Sequence, residues 1–178
     1  MERGILNLNI RFNADEVFAI AERMEQNAAV FYRTAAGKIQ YPGARQLLLD
    51  LEGWEHQHER FFSDLRKQLA GLEKEAPTYD PYSEAAQYIQ ALTDHTVYTL
   101  SQDPFAAFGT EPTFEQILNY AIARERDAVS FYTGIREFVP ARLGKDKIDT
   151  IIQEEKRHVT ILTEQLRKVA DQNRTGRT

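Results

Sequence analysis

The sequence predicts an all-α protein, a four-helix bundle in which one long crossover joins the second helix to the third. Apolar residues recur at the 3.6-residue period of a helix in four segments. None of these segments has the sustained alternation of apolar and polar residues that a half-buried strand requires. A helix pair in the first half of the chain also recurs in the second half. Two pairs with a long connection between them are typical of a bundle with one crossover.

The first helix pair is predicted at about residues 13–72. Asn13 and Glu16 have the spacing of a capping box at the start of its first helix. The second helix follows Pro42 and Gly43. The faces predicted to point inward consist of Val17, Ile20, Ala21, Met24, Ala28, Phe31 and Tyr32 in the first helix, and of Leu47, Leu51, Trp54, His58, Phe61, Phe62, Leu65 and Leu69 in the second.

The second helix pair is predicted at about residues 113–172. Its first helix begins near Thr113, which has a box-like partner in Gln116, and its second helix follows Pro140. The inward faces consist of Ile117, Ala121, Ala128, Phe131 and Tyr132, and of Ile148, Ile151, His158, Ile161, Leu162 and Val169.

The connection between the pairs, residues 72–112, is the predicted crossover. It cannot be one continuous helix, because proline breaks a helix interior and the segment holds four prolines. These are Pro77, Pro81, Pro104 and Pro112. A short helix is predicted at residues 83–93.

Length and composition limit the classes of protein that remain. A chain of 178 residues with 42% hydrophobic and 28% charged residues fits one globular domain, residues 1–178. The net charge of -5 argues against a nucleic-acid or anionic-membrane partner. There is no cysteine, which excludes disulfides, thiolate catalysis, zinc fingers, iron–sulfur clusters and a rubredoxin-type iron centre within the chain.

Targeting signals are not evident in the sequence. No stretch approaches the roughly 18 apolar residues of a membrane helix, and residues 1–11 lack the basic start and apolar run of a signal peptide. We therefore expect a cytoplasmic protein.

An internal repeat with an offset of one hundred residues carries the chemistry. Residues 21–32, AERMEQNAAVFY, are matched by residues 121–132, AIARERDAVSFY, in which Ala21, Glu25, Ala28, Phe31 and Tyr32 recur as Ala121, Glu125, Ala128, Phe131 and Tyr132. Thirty residues after Glu25 and after Glu125 the chain has an E-x-x-H motif, at residues 55–58 and again at 155–158. One such motif is common in helices, whereas two copies in register, each with an upstream Glu at the same distance, are much harder to obtain by chance.

The repeated carboxylates predict a metal site with two ions. Four Glu side chains within inward helix faces would repel one another and lose hydration, and both effects destabilise an uncompensated site. Two divalent cations would balance their four negative charges. In E-x-x-H the two side chains lie one turn apart on the same helix face and can reach one ion. Carboxylate and imidazole ligands suit iron or manganese and tolerate zinc.

The known arrangement of di-metal carboxylate bundles predicts the role of each residue. Glu55 and Glu155 are the bridging candidates. The terminal ligands are expected to be Glu25 with His58, and Glu125 with His158. The alternative is a bundle whose Glu side chains lie at the edge of each stripe and reach solvent. A single E-x-x-H would favour that alternative, but the doubled pattern favours the metal site.

Four segments resemble the ligand helices of the rubrerythrin branch of the ferritin-like superfamily, in its short form without a rubredoxin domain. They are MEQNAAVFY, WEHQHERF, RERDAVSFY and EEKRHVTIL, and the resemblance covers about residues 14–170 apart from the crossover. It implies a ferritin-like fold, a non-haem di-iron site and oxidoreductase chemistry with peroxide or dioxygen. By family position the ligands correspond to Glu25, Glu55, His58, Glu125, Glu155 and His158.

The resemblance also has implications for partners. A chain without a rubredoxin domain would receive electrons from an external donor such as a rubredoxin-like protein. Proteins of this branch often form homodimers, sometimes by exchanging helices, and the long segment 72–112 would permit such an exchange.

The sequence departs from the branch at Ala128, where typical members carry a further Glu. Ligand exchange through that carboxylate is therefore not expected. With Ala28 at the matching position, the site looks nearly two-fold symmetric. The two small residues either leave room for a small oxidant or permit close helix packing.

Two kinds of residue beside the ligands lead to further predictions. Tyr32 and Tyr132 lie two turns after the terminal Glu residues on the same face. They are candidates for hydrogen-bond donors to a ligand or for radical traps, and the alternative is core tyrosines with incidental hydrogen bonds. The stripe positions of Met24 and Trp54 are occupied in the second half by Arg124 and Glu154, which predicts an inter-helix salt bridge; the alternative is two independently solvated side chains.

Three functions are compatible with these residues. The leading hypothesis is a di-iron peroxidase that reduces hydrogen peroxide with electrons from the external donor. The second is a ferroxidase or iron-handling protein that uses the same site. The third is a metal-binding bundle without turnover.

Overall fold

The computed structural model of the chain describes residues 13–69, 105, 108, 112–136, 139, 141–143 and 145–175. Four helices account for most of them: α1 (Ala14–Lys38), α2 (Pro42–Gln68), α3 (Phe114–Ile135) and α4 (Lys145–Thr175). A short 3-10 turn, Ala141–Leu143, precedes α4. Within these ranges no residue is in a strand, so the predicted all-α class is confirmed.

Local sequence explains where the helices begin. At the start of α1 the Asn13 side chain accepts a hydrogen bond from the Glu16 amide at 2.9 Å, and the Glu16 carboxylate accepts one from the Asn13 amide at 3.0 Å. Thr113 and Gln116 form the same reciprocal box at the start of α3. Pro42 occupies the first turn of α2, where its missing amide proton has no helical partner to lose. Both predicted capping boxes are therefore present.

The helices pack as two hairpins, α1 against α2 and α3 against α4. The apolar core consists of two clusters, one toward each end of the bundle. The first cluster is represented by Phe18, Phe62, Phe131 and Ile148. The second is represented by Phe31, Leu48, Ile117 and Leu162. All four helices contribute to both clusters, and between the clusters each helix contributes a short polar stretch to a common layer.

The predicted crossover at 72–112, with its short helix at 83–93, lies outside the described residues except for Phe105, Phe108 and Pro112. Phe105 belongs to the second apolar cluster and stacks on Phe31 with ring centroids 5.4 Å apart. In the part of the chain that is described, none of the helices has an apolar stretch long enough to cross a membrane.

Candidate metal centre

The polar layer between the two apolar clusters contains six buried side chains that can bind a metal. Their exposed fractions range from 0% to 4%. They are Glu25 on α1, Glu55 and His58 on α2, Glu125 on α3, and Glu155 and His158 on α4. The structure therefore brings together all six residues that the repeat singled out, and none of them reaches solvent as the alternative interpretation would require.

The six side chains form two overlapping groups of four. The first group is Glu25, Glu55, His58 and Glu155, and the second is Glu55, Glu125, Glu155 and His158. Within each group the candidate ligand atoms all lie within 4.8 Å of one another. Glu55 and Glu155 belong to both groups, which is the position expected of bridging ligands.

Close contacts inside the layer involve the same ring nitrogen of both histidines. The Nδ1 atom of His58 lies 2.8 Å from Glu155 and 3.4 Å from Glu55. The Nδ1 atom of His158 lies 3.1 Å from Glu155 and 3.3 Å from Glu55. The two imidazole rings stack with centroids 5.6 Å apart. Both Nδ1 atoms therefore face the pair of shared carboxylates.

The electrostatics of the layer show how strongly it favours positive charge. Burial raises the pKa of Glu25 and Glu125 well above the ordinary value, and the nearby charges of Glu55 and Glu155 raise it further. Burial by itself would lower the pKa of His58, but the adjacent carboxylates raise it to about 12. The pKa of His158 is raised to about 12 in the same way. Burial would raise the pKa of Glu155, but a hydrogen bond from His158 and the adjacent His58 lower it. The layer as a whole thus retains protons on Glu25, Glu125 and the two histidines, and divalent cations would supply the same positive charge.

Three buried atoms of the layer test whether a metal fits. Among the described residues, Glu55 Oε1, His58 Nδ1 and Glu155 Oε1 have no hydrogen-bond partner, although buried polar atoms nearly always have one. His58 Nδ1 lies only 2.8 Å from Glu155 Oε1, but the pair lacks the alignment of a hydrogen bond. Each group offers three carboxylates and one imidazole, a donor set that suits a first-row divalent ion. The residues present therefore fit two such cations.

Two tyrosines connect the halves of the layer. The Tyr32 hydroxyl on α1 donates to Glu125 Oε1 on α3, and the Tyr132 hydroxyl on α3 donates to Glu25 Oε1 on α1. Burial, followed by the charge of its Glu partner, raises the pKa of each tyrosine well above the usual range. Both predicted tyrosines thus bind a candidate ligand, and each one binds the Glu of the other half of the repeat.

The residue that precedes each shared carboxylate differs between the halves. Glu154 Oε2 lies 2.8 Å from His58 Nε2. Trp54, at the matching position of α2, stacks on His158 with ring centroids 5.1 Å apart and an interplanar angle of 12°. Sequence reasoning missed the contact between Glu154 and His58. The exchange of Trp54 for Glu154 within the repeat was the signal that could have revealed it.

The predicted salt bridge between Arg124 and Glu154 is wrong. Arg124 Nη2 pairs instead with Asp127 Oδ2 on its own helix at 2.8 Å, and its guanidinium lies over the Tyr120 ring. A partner three residues away on the same helix is always within reach, whereas Glu154 points across to α2. The other histidine of the motif region, His56, contacts Glu59 and Glu52 outside the layer.

A cleft between α2 and α4 reaches the layer from the side of the histidines. Its volume is about 140 Å³. It is lined by Trp54, Gln57, His58, Glu154, Arg157 and His158. A second cleft of about 540 Å³ shares Gln57, His58 and Glu154 with it. Ala28 and Ala128 pack against the apolar core and line neither cleft, which favours the packing role for these two small residues.

The chain is similar to a solved structure from Thermotoga maritima, described as that of a ferritin-like diiron-carboxylate protein. The TM-score is 0.66 at 19% sequence identity, and the match covers 89% of this chain and 97% of that chain. No protein-family model matches the sequence, and no curated protein matches it. At this level of identity the likeness establishes the fold, so the chain has the predicted ferritin-like four-helix bundle.

Proposed function

We propose that the protein is a non-haem di-iron oxidoreductase that reduces hydrogen peroxide with electrons from an external donor. The observation that carries this proposal is the pair of four-residue groups that share Glu55 and Glu155 in a buried layer. Glu55 and Glu155 would bridge two iron ions. Glu25 with His58, and Glu125 with His158, would complete the two positions. Manganese and zinc could use the same donors, but two ferrous ions held there would supply the two electrons that, with two protons, reduce hydrogen peroxide to two waters.

The chain's own residues would hold the terminal ligands in place. The hydroxyl groups of Tyr32 and Tyr132 fix Glu125 and Glu25 by hydrogen bonds. Reduction of one peroxide to two waters consumes two electrons and two protons. Each tyrosine keeps its proton at Oη, because its pKa is raised, and it would act as a hydrogen-bond donor that orients a terminal carboxylate.

The proposal includes an external electron donor, and the composition of the chain supports this part of it. Without cysteine the chain cannot hold a rubredoxin-type centre. The resemblance to short rubrerythrins supports a rubredoxin-like protein as the donor.

A ferroxidase is the second candidate, and the cleft between α2 and α4 favours it, because this cleft would give iron a route to and from His58 and His158. Retention of iron is better supported. All six candidate ligands are at most 4% exposed, and the two tyrosine hydrogen bonds hold the carboxylates that would have to move during release.

Peroxide consumption by protein loaded anaerobically with Fe(II) tests the proposal. We expect rapid consumption of peroxide in the presence of a reductant, with the iron retained by the protein afterwards. Glu155→Ala should abolish both the iron binding and the consumption. Glu52→Ala is the matched control, because Glu52 is a buried Glu on α2 that pairs with Arg33 outside the layer.

The outcomes separate the candidates. Full peroxide consumption by Glu155→Ala would refute the site. Repeated oxidation of added Fe(II) by dioxygen, with release of the product, would identify a ferroxidase. Tight metal binding with no turnover of either oxidant would leave a non-catalytic metal-binding bundle.

A further inference from the structure

The two candidate metal positions differ in what supports their histidine. His58 Nε2 has a carboxylate partner, Glu154, at 2.8 Å. The carboxylates that approach His158, among the residues described, all do so at Nδ1. The face of the His158 ring is covered by the indole of Trp54, which supplies contact area but no hydrogen-bond acceptor. The layer is therefore nearly two-fold symmetric except at Trp54 and Glu154, which contact the two histidines in different ways.

A carboxylate at Nε2 changes the behaviour of an imidazole ligand. By accepting the Nε2–H bond, Glu154 selects the tautomer whose lone pair is on Nδ1. In His58 that atom already faces Glu25, Glu55 and Glu155. The same hydrogen bond holds the ring in place and makes the imidazole a stronger donor to a metal. The stacked indole of Trp54 also restrains the ring of His158, but it neither selects a tautomer nor makes the imidazole a stronger donor.

We infer that Glu154 is a positioning residue for His58, and that the two metal positions are inequivalent. The Glu25–His58 position fills first and binds its ion more tightly than the Glu125–His158 position. This inference rests on the metal-binding part of the proposed function and is independent of the peroxide chemistry.

Charge alone is the competing explanation for any effect of Glu154. Its side chain is 49% exposed, so it could attract cations to the layer without acting through His58. Removal of His58 separates the two explanations. An effect transmitted through the imidazole disappears in a His58→Ala background, whereas an effect of charge alone persists there.

The test is an anaerobic titration of the full chain with Fe(II) in the presence of a competing chelator. Native mass spectrometry counts the chains that carry zero, one or two ions. Glu154→Gln should weaken the first binding step by about 10- to 100-fold, the usual effect of removing a partner of a metal-bound histidine. Glu154→Asp, which keeps the carboxylate, should recover part of that loss. In the His58→Ala background, Glu154→Gln should change the first step by less than about twofold.

Two further variants locate the tighter position. His58→Ala should weaken the first step more than His158→Ala does, and equal losses in the two variants would contradict the inference. Trp54→Glu places a carboxylate at the matching position opposite His158, and it should strengthen the second step. Melting curves measured by circular dichroism confirm that each variant is folded. The Glu154 variants suffice if Trp54→Glu does not fold, because Glu154 is half-exposed.

Several results would overturn the inference. One is an unchanged first step in Glu154→Gln, and another is an equal loss in the wild-type and His58→Ala backgrounds. Failure of peroxide turnover with the stepwise binding intact would refute the peroxidase alone. Folded protein that binds no iron would refute both proposals.

Discussion

The polar layer and the two apolar clusters that flank it are built by the same four helices, yet they contribute in opposite ways. Phe18 and Leu48 are fully buried among apolar neighbours, so each adds the free energy of removing apolar surface from water. Glu55 and Glu155 are as deeply buried, but burying a carboxylate is unfavourable unless it is compensated. The clusters therefore stabilise the bundle, whereas the layer is unfavourable unless a bound cation or proton compensates its charge.

The largest effect should come from the clusters. Phe18→Ala should lower the free energy of unfolding by about 3–5 kcal/mol, because it removes a fully buried ring that packs near Phe62. The folded variant should still bind iron, since Phe18 lies two turns from Glu25. Chemical denaturation measures the loss. Val30→Ala on the same helix is the control; Val30 is 64% exposed, and its loss should be below about 0.5 kcal/mol. Similar losses in both variants would contradict the division between clusters and layer.

Binding of iron in the layer should produce the next largest change in the free energy of unfolding. At a free concentration one hundred times its dissociation constant, a ligand that binds only the folded state adds about 2.7 kcal/mol to the free energy of unfolding. The melting temperature should rise on Fe(II) loading. The rise should vanish in Glu155→Ala and persist in Glu52→Ala. An equal rise in both variants would mean that iron binds outside the layer.

Removal of the Tyr32 or Tyr132 hydroxyl, each of which bonds the Glu in the other half of the repeat, should weaken iron binding by a smaller amount. The binding step that is weakened should differ between the two variants. Tyr132→Phe and Tyr32→Phe each remove a hydrogen bond to a carboxylate, and such bonds contribute about 1.5–3 kcal/mol. Tyr132→Phe frees Glu25 and should weaken the first iron-binding step, whereas Tyr32→Phe frees Glu125 and should weaken the second. The stepwise titration separates the two. Loss of the same step in both variants would contradict the crossed pairing.

The affinity for iron should also depend on pH, and for each proton released this effect is smaller than those above. The pKa values of His58 and His158 are raised to about 12, and those of Glu25 and Glu125 are also raised. These groups must lose protons to bind a metal, so iron binding should release protons and its affinity should rise with pH. Each proton released corresponds to about 1.4 kcal/mol per pH unit. Calorimetry in buffers of different ionisation enthalpy counts the protons, and a count of zero would contradict the protonated layer.

The sequence predicted the four helices, the two capping boxes and the six side chains of the polar layer. Each of these depends on the spacing of residues along a single helix. The side chains of Glu55 and His58 share a face at three residues' separation in any helix, and Asn13 can cap only the helix that follows it. Contacts between helices were harder to predict. The pairing of Tyr32 with Glu125 depends on how α1 lies against α3, and helical periodicity does not contain that information.

The failed prediction has the same origin. Arg124 and Glu154 occupy the positions of Met24 and Trp54 in the repeat, and the repeat alone made them look like partners. In the structure Arg124 finds Asp127 within its own helix, while Glu154 crosses to His58 on α2. Comparison of the two copies of the repeat identifies the positions at which they differ. The packing of the helices determines which residue contacts the side chain at each of those positions.

The number of iron ions bound per chain tests the central claim most directly. Purified protein would be loaded with Fe(II) under anaerobic conditions, desalted and analysed for iron and protein. Two ions per chain, falling to none in Glu155→Ala, is the result expected if Glu55 and Glu155 join two metal positions. Protein that remains folded but binds almost no iron would contradict the claim, and would mean that the chain shares the scaffold of a di-iron protein without its metal centre.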